Sequence, residues 1–322
     1  MDALAGLLDG PRARGAFLMR IVMDPPWSIR IADRAPLSLT ALVTGHAWVA
    51  LDGADAVRVG PGDIVINRGP DPYTFADDPA TPVQAVIHPN QRCTTPDGVD
   101  LHDAMDLGVR TWGNSATGTT LMLVGSYNID GEVSQRLLRA LPVMLVLPAQ
   151  AWRSPLTGLL GDEIVKDEPG QEAVLDRLLD LLLIAALRAW FARSGVGAPK
   201  WYRAYDDPVV GQALRMLHHN PAHPWTVSEM AAAAGVSRAA LARRFTELVG
   251  EPPMAFLTGW RLALAADMLT DQDATLEAVA RKVGYSSPFA LSTAFKRARG
   301  ISPREYRESH ASRAAGQLVS PG

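Results

Sequence analysis

Two rhythms of apolar residues divide the chain. From about Gly15 to Asn128 short apolar runs alternate with Gly and Pro: Leu39 to Val43, Ala47 to Leu51, Asp63 to Ile66, Val83 to Ile87 and Thr120 to Val124. Runs this short, bounded by turn formers, predict strands, and their close spacing predicts an all-β sandwich or barrel. Asp52-Gly53 and Pro61-Gly62-Asp63 mark tight reversals. From Glu132 the period becomes helical, with Val133, Leu137, Leu138 and Leu141 on one face and Pro142 as the stop. A longer helix is predicted over Gln171 to Arg193. Its apolar positions, among them Val174, Leu175, Leu178, Leu182 and Trp190, cover more than one stripe, so it needs partners on more than one side. Those partners are its own domain or, alternatively, a second copy of the chain. The segment SGVGAPK, from Ser194 to Lys200, reads as a linker.

The last third contains a repeat. Gly235 has a counterpart at Gly284, 49 residues on; past a one-residue insertion the offset becomes 50, pairing Leu241 with Leu291, Phe245 with Phe295, Gly250 with Gly300 and Phe256 with Tyr306. Each copy has the parts of a helix-turn-helix. Thr226 and Glu229 form a capping box, Gly235 supplies the turn, and Ser237 caps a second helix whose Leu241, Phe245 and Leu248 share a buried face. In the second copy Thr275 is the cap and Gly284 the turn. Ser287-Pro288 opens the next helix, which buries Leu291, Phe295 and Ala298. Met254 to Leu269 reads as one helix joining the two units.

Burying those faces fixes the opposite ones at 100° per residue. They carry Ala239, Ala242, Arg243 and Thr246 in the first unit, and Phe289, Ser292, Thr293 and Lys296 in the second. An α-helix fits the DNA major groove and arginine grips guanine with two hydrogen bonds, so Arg243 and Arg238 are the candidate base readers. Ser292 and Thr293 are short and meet base edges only at close approach; Ser287 at the helix start completes the set. Arg244, Lys296, Arg297 and Arg299 are expected to neutralise phosphates. Phe289 has two readings, packing on a thymine methyl or turning back onto the domain core, and the second is the expectation.

Composition narrows the setting. The chain has 322 residues, 48% hydrophobic and 20% charged, room for more than one core. Its only cysteine, Cys93, cannot form an internal disulfide, and the start MDALAGLLDGPRAR lacks the pattern of a signal peptide, so a reducing cytoplasm is expected. The most apolar run, Leu181 to Leu187, is too short to cross a bilayer. The net charge of −3 divides into −6 over the first 200 residues and +2 over residues 201–310, a mild electrostatic pointer to nucleic acid in the last third.

The stretches WTVSEMAAAAGVSRAALARRFTELVGEPP and LEAVARKVGYSSPFALSTAFKRARGISPREYR, within Pro224 to Arg307, closely resemble the DNA-binding domain of the AraC/XylS family of bacterial regulators. LTALVTGHAWVALDGADAVRVGPGDIVINRGPDPYTF, residues 39–75, resembles the cupin-type sensor domain attached to many of them. The resemblance implies a multidomain β + α protein: a cupin-like β-barrel over 1–130, a helical middle region over 131–200 that relays or dimerises, an all-α domain with two helix-turn-helix units over 201–310, and a flexible tail over 311–322. It implies a ligand-responsive activator that acts on promoter DNA with RNA polymerase, takes a small-molecule effector, and pairs as a possible homodimer. Trp27, Trp48, Tyr73, Phe75 and Met122 are the candidate ligand contacts. In such cupins the positions of Thr40 and Tyr73 are commonly histidines, and His46, His88 and His102 do not make up a two-histidine, one-carboxylate set. No metal or other cofactor is therefore expected. The competing reading, a metal-dependent cupin enzyme fused to a DNA-binding module, lacks those same histidines. His218, His219 and His223 are expected at the surface or as caps, and Cys93 as an inert small residue.

Overall fold

A computed structural model describes residues 17–127, 131–152, 154–193, 200–271 and 273–318. The predicted linker falls almost wholly outside them. The chain forms two compact units, Pro11–Ile129 with Leu138–Ala198, and Pro199–Gly322 with Asp130–Leu137.

Among the described residues the first unit has twelve strands: β1 (Phe17–Met23), β2 (Ser28–Ile31), β3 (Leu37–Thr44), β4 (Ala47–Leu51), β5 (Val57–Val59), β6 (Ile64–Arg68), β7 (Tyr73–Ala76), β8 (Ala85–Ile87), β9 (Cys93–Thr94), β10 (Thr111–Gly113), β11 (Thr120–Tyr127) and β12 (Met144–Leu147). They do not close into the barrel expected from the sequence. They make two six-stranded sheets, in the orders β10-β1-β11-β3-β6-β12 and β5-β4-β7-β2-β8-β9. β12 lies in the stretch expected to be helical throughout; it pairs antiparallel with β6, Leu145 opposite Ile66. A five-residue apolar run directly after Pro142 carries no period long enough to separate strand from helix.

Side chains alternate along each strand, and β11 shows both destinations. Met122, Val124 and Ser126 face the space between the sheets, while Leu123, Gly125 and Tyr127 face outward. The outward face is covered by helices. After the short α1 (His102–Met105) and α2 (Glu132–Ala140) come α3 (Leu156–Ile164) and α4 (Gln171–Phe191). A Cβ on Gly125 would lie 2.6 Å from the Leu179 side chain, and the Tyr127 hydroxyl donates to the Leu179 carbonyl at 2.8 Å. α4 thus buries Leu175, Leu179, Leu182, Leu183 and Trp190 and leaves Val174 and Leu181 exposed.

The second unit is helical: α5 (Lys200–Arg203), α6 (Val210–His219), α7 (Val227–Ala233), α8 (Arg238–Val249), α9 (Pro253–Leu269), α10 (Leu276–Val283), α11 (Pro288–Arg299) and α12 (Pro303–Leu318). α12 extends to Leu318, eight residues into the segment read as a tail. Two cores share α9. One gathers Leu214, Met230, Leu241, Phe245, Phe256 and Leu257; the other gathers Leu262, Leu269, Val279, Leu291, Phe295 and Tyr306. Among the described residues no helix is long and apolar enough to cross a membrane.

Candidate nucleic-acid interface and internal cavity

The four helices of the repeated units all begin on a side-chain cap. Thr226 Oγ1 accepts from Glu229 N at 3.1 Å and Ser237 Oγ from Ala240 N at 3.2 Å; Thr275 Oγ1 accepts from Ala278 N at 3.2 Å and Ser287 Oγ from Ala290 N at 3.1 Å. Only half of the expected capping box forms, because the Glu229 carboxylate turns instead to His223 Nε2 at 2.9 Å. Such caps satisfy amides that the first turn leaves without partners and fix where each helix starts. Between the helices Gly235 (φ +68°) and Gly284 (φ +83°) make left-handed turns. At Gly284 an added Cβ would also lie 2.6 Å from the Ala222 carbonyl oxygen, so both conformation and space demand glycine there.

Leu241 and Phe245 on α8, and Leu291 and Phe295 on α11, are fully buried, which turns the opposite faces outward. Arg238, Ala239, Arg243 and Thr246 are exposed on α8, with Ala242 half-buried; Thr293, Lys296 and Arg297 are exposed on α11, with Ser287 and Ser292 half-buried. Ala298, expected in the core, is exposed. Phe289 does not turn back: it is 80% exposed. The fold adds a second correction on charge. Arg299 lies inward, its guanidinium 4.9 Å from the Phe295 ring centre, bonded to the Leu262 carbonyl at 3.2 Å and to Glu132 at 3.2 Å. It is an internal tie rather than a phosphate contact. Arg244 is half-exposed but pairs with Asp207, whose carboxylate also accepts from Val209 N and Val210 N at the start of α6.

His218 is not a surface residue. It stacks on Tyr205, meets the edges of Phe256 and Trp260, and bonds to the Tyr205 hydroxyl. Burial, with Arg136 and His219 nearby, lowers its pKa to about 4.

Between the sheets of the first unit lies a cavity of about 420 Å³. The larger part of its wall is apolar, with Ile21 and Ile29, Phe75, Ile87, Met122 and Val124. Three of the five predicted contacts, Tyr73, Phe75 and Met122, line it. Trp27 is fully buried in the surrounding core without lining the cavity, and Trp48 faces the other way. Ala47 and Val49 take the inward positions of β4, which puts Trp48 on the outer face opposite Arg58. Thr40 and Tyr73, where cupins commonly carry histidines, both line the cavity, and the Tyr73 hydroxyl meets Ser38 Oγ at 2.8 Å. Among the described residues no three His, Cys, Asp or Glu side chains gather to hold a metal. Cys93 also lines the cavity, and burial raises its thiol to about 11.

Sequence reasoning missed the polar part of this wall. Burial raises the Asp33 carboxyl, which accepts from Ala35 N at 3.0 Å. Arg110, in a left-handed conformation at φ +47°, donates from Nη1 to Gln171 Oε1 at 2.8 Å. Gln171 opens α4 and its amide holds the carbonyls of Glu163 and Lys166, each at 2.6 Å. A bond spanning 61 residues of sequence leaves no local signal to read.

Comparison with known proteins agrees with this division. A cupin family model matches residues 2–192, and a helix-turn-helix domain model matches residues 230–309. An AraC-like transcription regulator of Streptomyces antibioticus is 31% identical over 315 residues, covering 96% of this chain and 99% of its own. The HTH-type transcriptional regulator AlkR of Acinetobacter baylyi is 27% identical over 315 residues, covering 96% of this chain and 99% of its own. MtrA of Neisseria gonorrhoeae, also an HTH-type transcriptional regulator, is 26% identical over 312 residues, covering 96% and 98%. Two capped helix-turn-helix units behind a cupin part, matched over nearly the whole length of such proteins, mean that this chain belongs to the AraC-like family of DNA-binding transcription regulators.

Proposed function

We propose that the protein is a ligand-responsive transcription activator whose α8 and α11 enter two successive major-groove segments on one face of promoter DNA, roughly 34 Å apart. The observation that carries the two-segment reading is the pair of recognition helices, each capped, each packed on its own core and each presenting a solvent-facing row. Arg238 and Arg243 read guanine, with Ala239 and Ala242 permitting close approach; Ser287, Ser292 and Thr293 meet the second segment; Arg244, Lys296 and Arg297 hold phosphates. The effector is a predominantly apolar small molecule, in keeping with a cavity of small-ligand size and an Ile, Phe and Met wall. The exposed Val174 and Leu181, two turns apart on α4, support pairing with a second copy, and RNA polymerase is the partner at the promoter.

The test is a nuclease footprint of the full chain on the DNA upstream of its gene, at fixed salt, beside Arg243→Ala. Two protected segments one helical turn apart are expected, with binding weakened about 5- to 150-fold in the variant. A single protected segment would end the two-segment reading. The effector reading is checked by thermal unfolding with a panel of apolar compounds: at least one should raise the transition of the native chain and shift its DNA affinity, and Met122→Trp, which fills the cavity, should abolish both responses.

A further inference from the structure

Among the described residues Phe289 is the most exposed large apolar side chain, at 80%. Burial of a phenyl ring is among the strongest contributions a core can gain, and this ring forgoes it. Its place is fixed rather than incidental. Ser287 caps α11, Pro288 occupies the first helical position, and Phe289 follows in the first turn, the part of a recognition helix that meets base edges. Thr293 lies one turn on and Lys296 two turns on along the same face. The equivalent position in the first unit is Ala239, which has nothing to reach with.

A phenyl ring neither donates nor accepts a hydrogen bond in the plane of a base edge. The one complementary surface that the major groove offers it is the thymine 5-methyl group. Set against cytosine it would cover the N4 amino group, and against guanine O6 and N7, stripping water from groups it cannot satisfy. The half-buried Ser292 and exposed Thr293 are short enough for α11 to sit deep, while Lys296 and Arg297 stand ready for flanking phosphates. We infer that Phe289 is a specificity-determining residue that reads the methyl group of one thymine in the segment taken by α11. This rests on α11 entering a groove, and it gives the second half-site an A·T requirement set by apolar contact, where the first is set by arginine.

The experiment removes that methyl and nothing else. The full chain selects its operator from random DNA. Each thymine in the α11 segment is then replaced singly by deoxyuridine, and affinity is measured for the native protein, Phe289→Ala and Phe289→Leu. The native protein should lose about fourfold or more at one position, the worth of one buried methyl. Phe289→Ala should bind the thymine operator more weakly and be indifferent to deoxyuridine there, and Phe289→Leu should keep part of the discrimination. An exposed ring is removable without disturbing the core, so equal melting temperatures will accompany these changes. Equal affinity for thymine and deoxyuridine at every position, or the same penalty in Phe289→Ala, would overturn the assignment while leaving the two-segment footprint standing. Loss of promoter activation in Phe289→Ala with unchanged DNA affinity would also overturn it and place a protein on the ring. Protection confined to the α8 segment would overturn the two-segment reading itself.

Discussion

The two helix-turn-helix units share a scaffold and differ in what they present. Both open on hydroxyl caps, both turn on glycine, and Leu241 with Phe245 is matched by Leu291 with Phe295 at zero exposure. On the outward faces Arg238, Ala239 and Arg243 stand opposite Pro288, Phe289 and Thr293. The buried positions repeat because each must fill the same space between the same helices; the exposed ones are released from that constraint and follow whatever they touch. Under the proposed reading one unit grips bases by charge-assisted hydrogen bonds and the other by a ring and a hydroxyl. The units also differ inside, since the first holds a buried histidine against its aromatic cluster.

The severest way to break the comparison is to empty one core at a time. Phe245→Ala and Phe295→Ala each delete a fully buried ring at equivalent sites, and each should cost about 3–5 kcal/mol. Urea unfolding of the full chain checks this. Losses of equal size would show that the shared scaffold is energetically symmetric. A loss much smaller at one site would mean that its core closes over the gap and the units are alike in outline only.

Acid should separate the units next. His218 titrates at about 4 in the folded chain, against 6.5 for an exposed imidazole. Below pH 6.5 the unfolded chain takes up a proton that the folded chain refuses, so stability is complete above that pH. It is lost progressively down to about pH 4, by about 3 kcal/mol in total. Hydrogen exchange of the full chain at pH 7 and pH 4.5 should show protection falling in α6 and α8 more than in α11. In His218→Phe that asymmetry should vanish; its persistence would assign the acid sensitivity to other groups.

These differences were not equally legible in the sequence. The repeat, the caps and the buried faces were, because Ser, Thr, Gly and Leu recur at offsets that only a helical period explains. The conflicts arose where a side chain chooses between two partners that periodicity does not rank. Phe289 lies on the outward face of α11 by angle, but as an apolar ring it was expected to bend back onto the core; it stays 80% exposed. Arg299 is charged and was expected outward, yet it folds over Phe295 toward Glu132. In the cupin part AWVAL is apolar on both faces, so alternation alone could not say that Trp48 points away from the cavity. Arg110 was unreadable for a different reason: its partner Gln171 is brought to it only by the packing of α4 on the sheet.

The smallest expected effect is also the sharpest test of the division of labour. Lys296 occupies the position matched by Thr246, and both are exposed. If Lys296 serves a phosphate, Lys296→Ala will weaken binding by a similar factor on every operator variant. It will also reduce the slope of log affinity against log salt by about one. Thr246→Ala has no charge to remove and should leave that slope unchanged. Titrations at several salt concentrations on the selected operator and on two of its base variants distinguish the cases. A loss in Lys296→Ala that depends on the base variant would show the lysine reading sequence. The second unit would then grip bases by charge, as is proposed for the first, and the contrast between the two helices would shrink to the ring of Phe289.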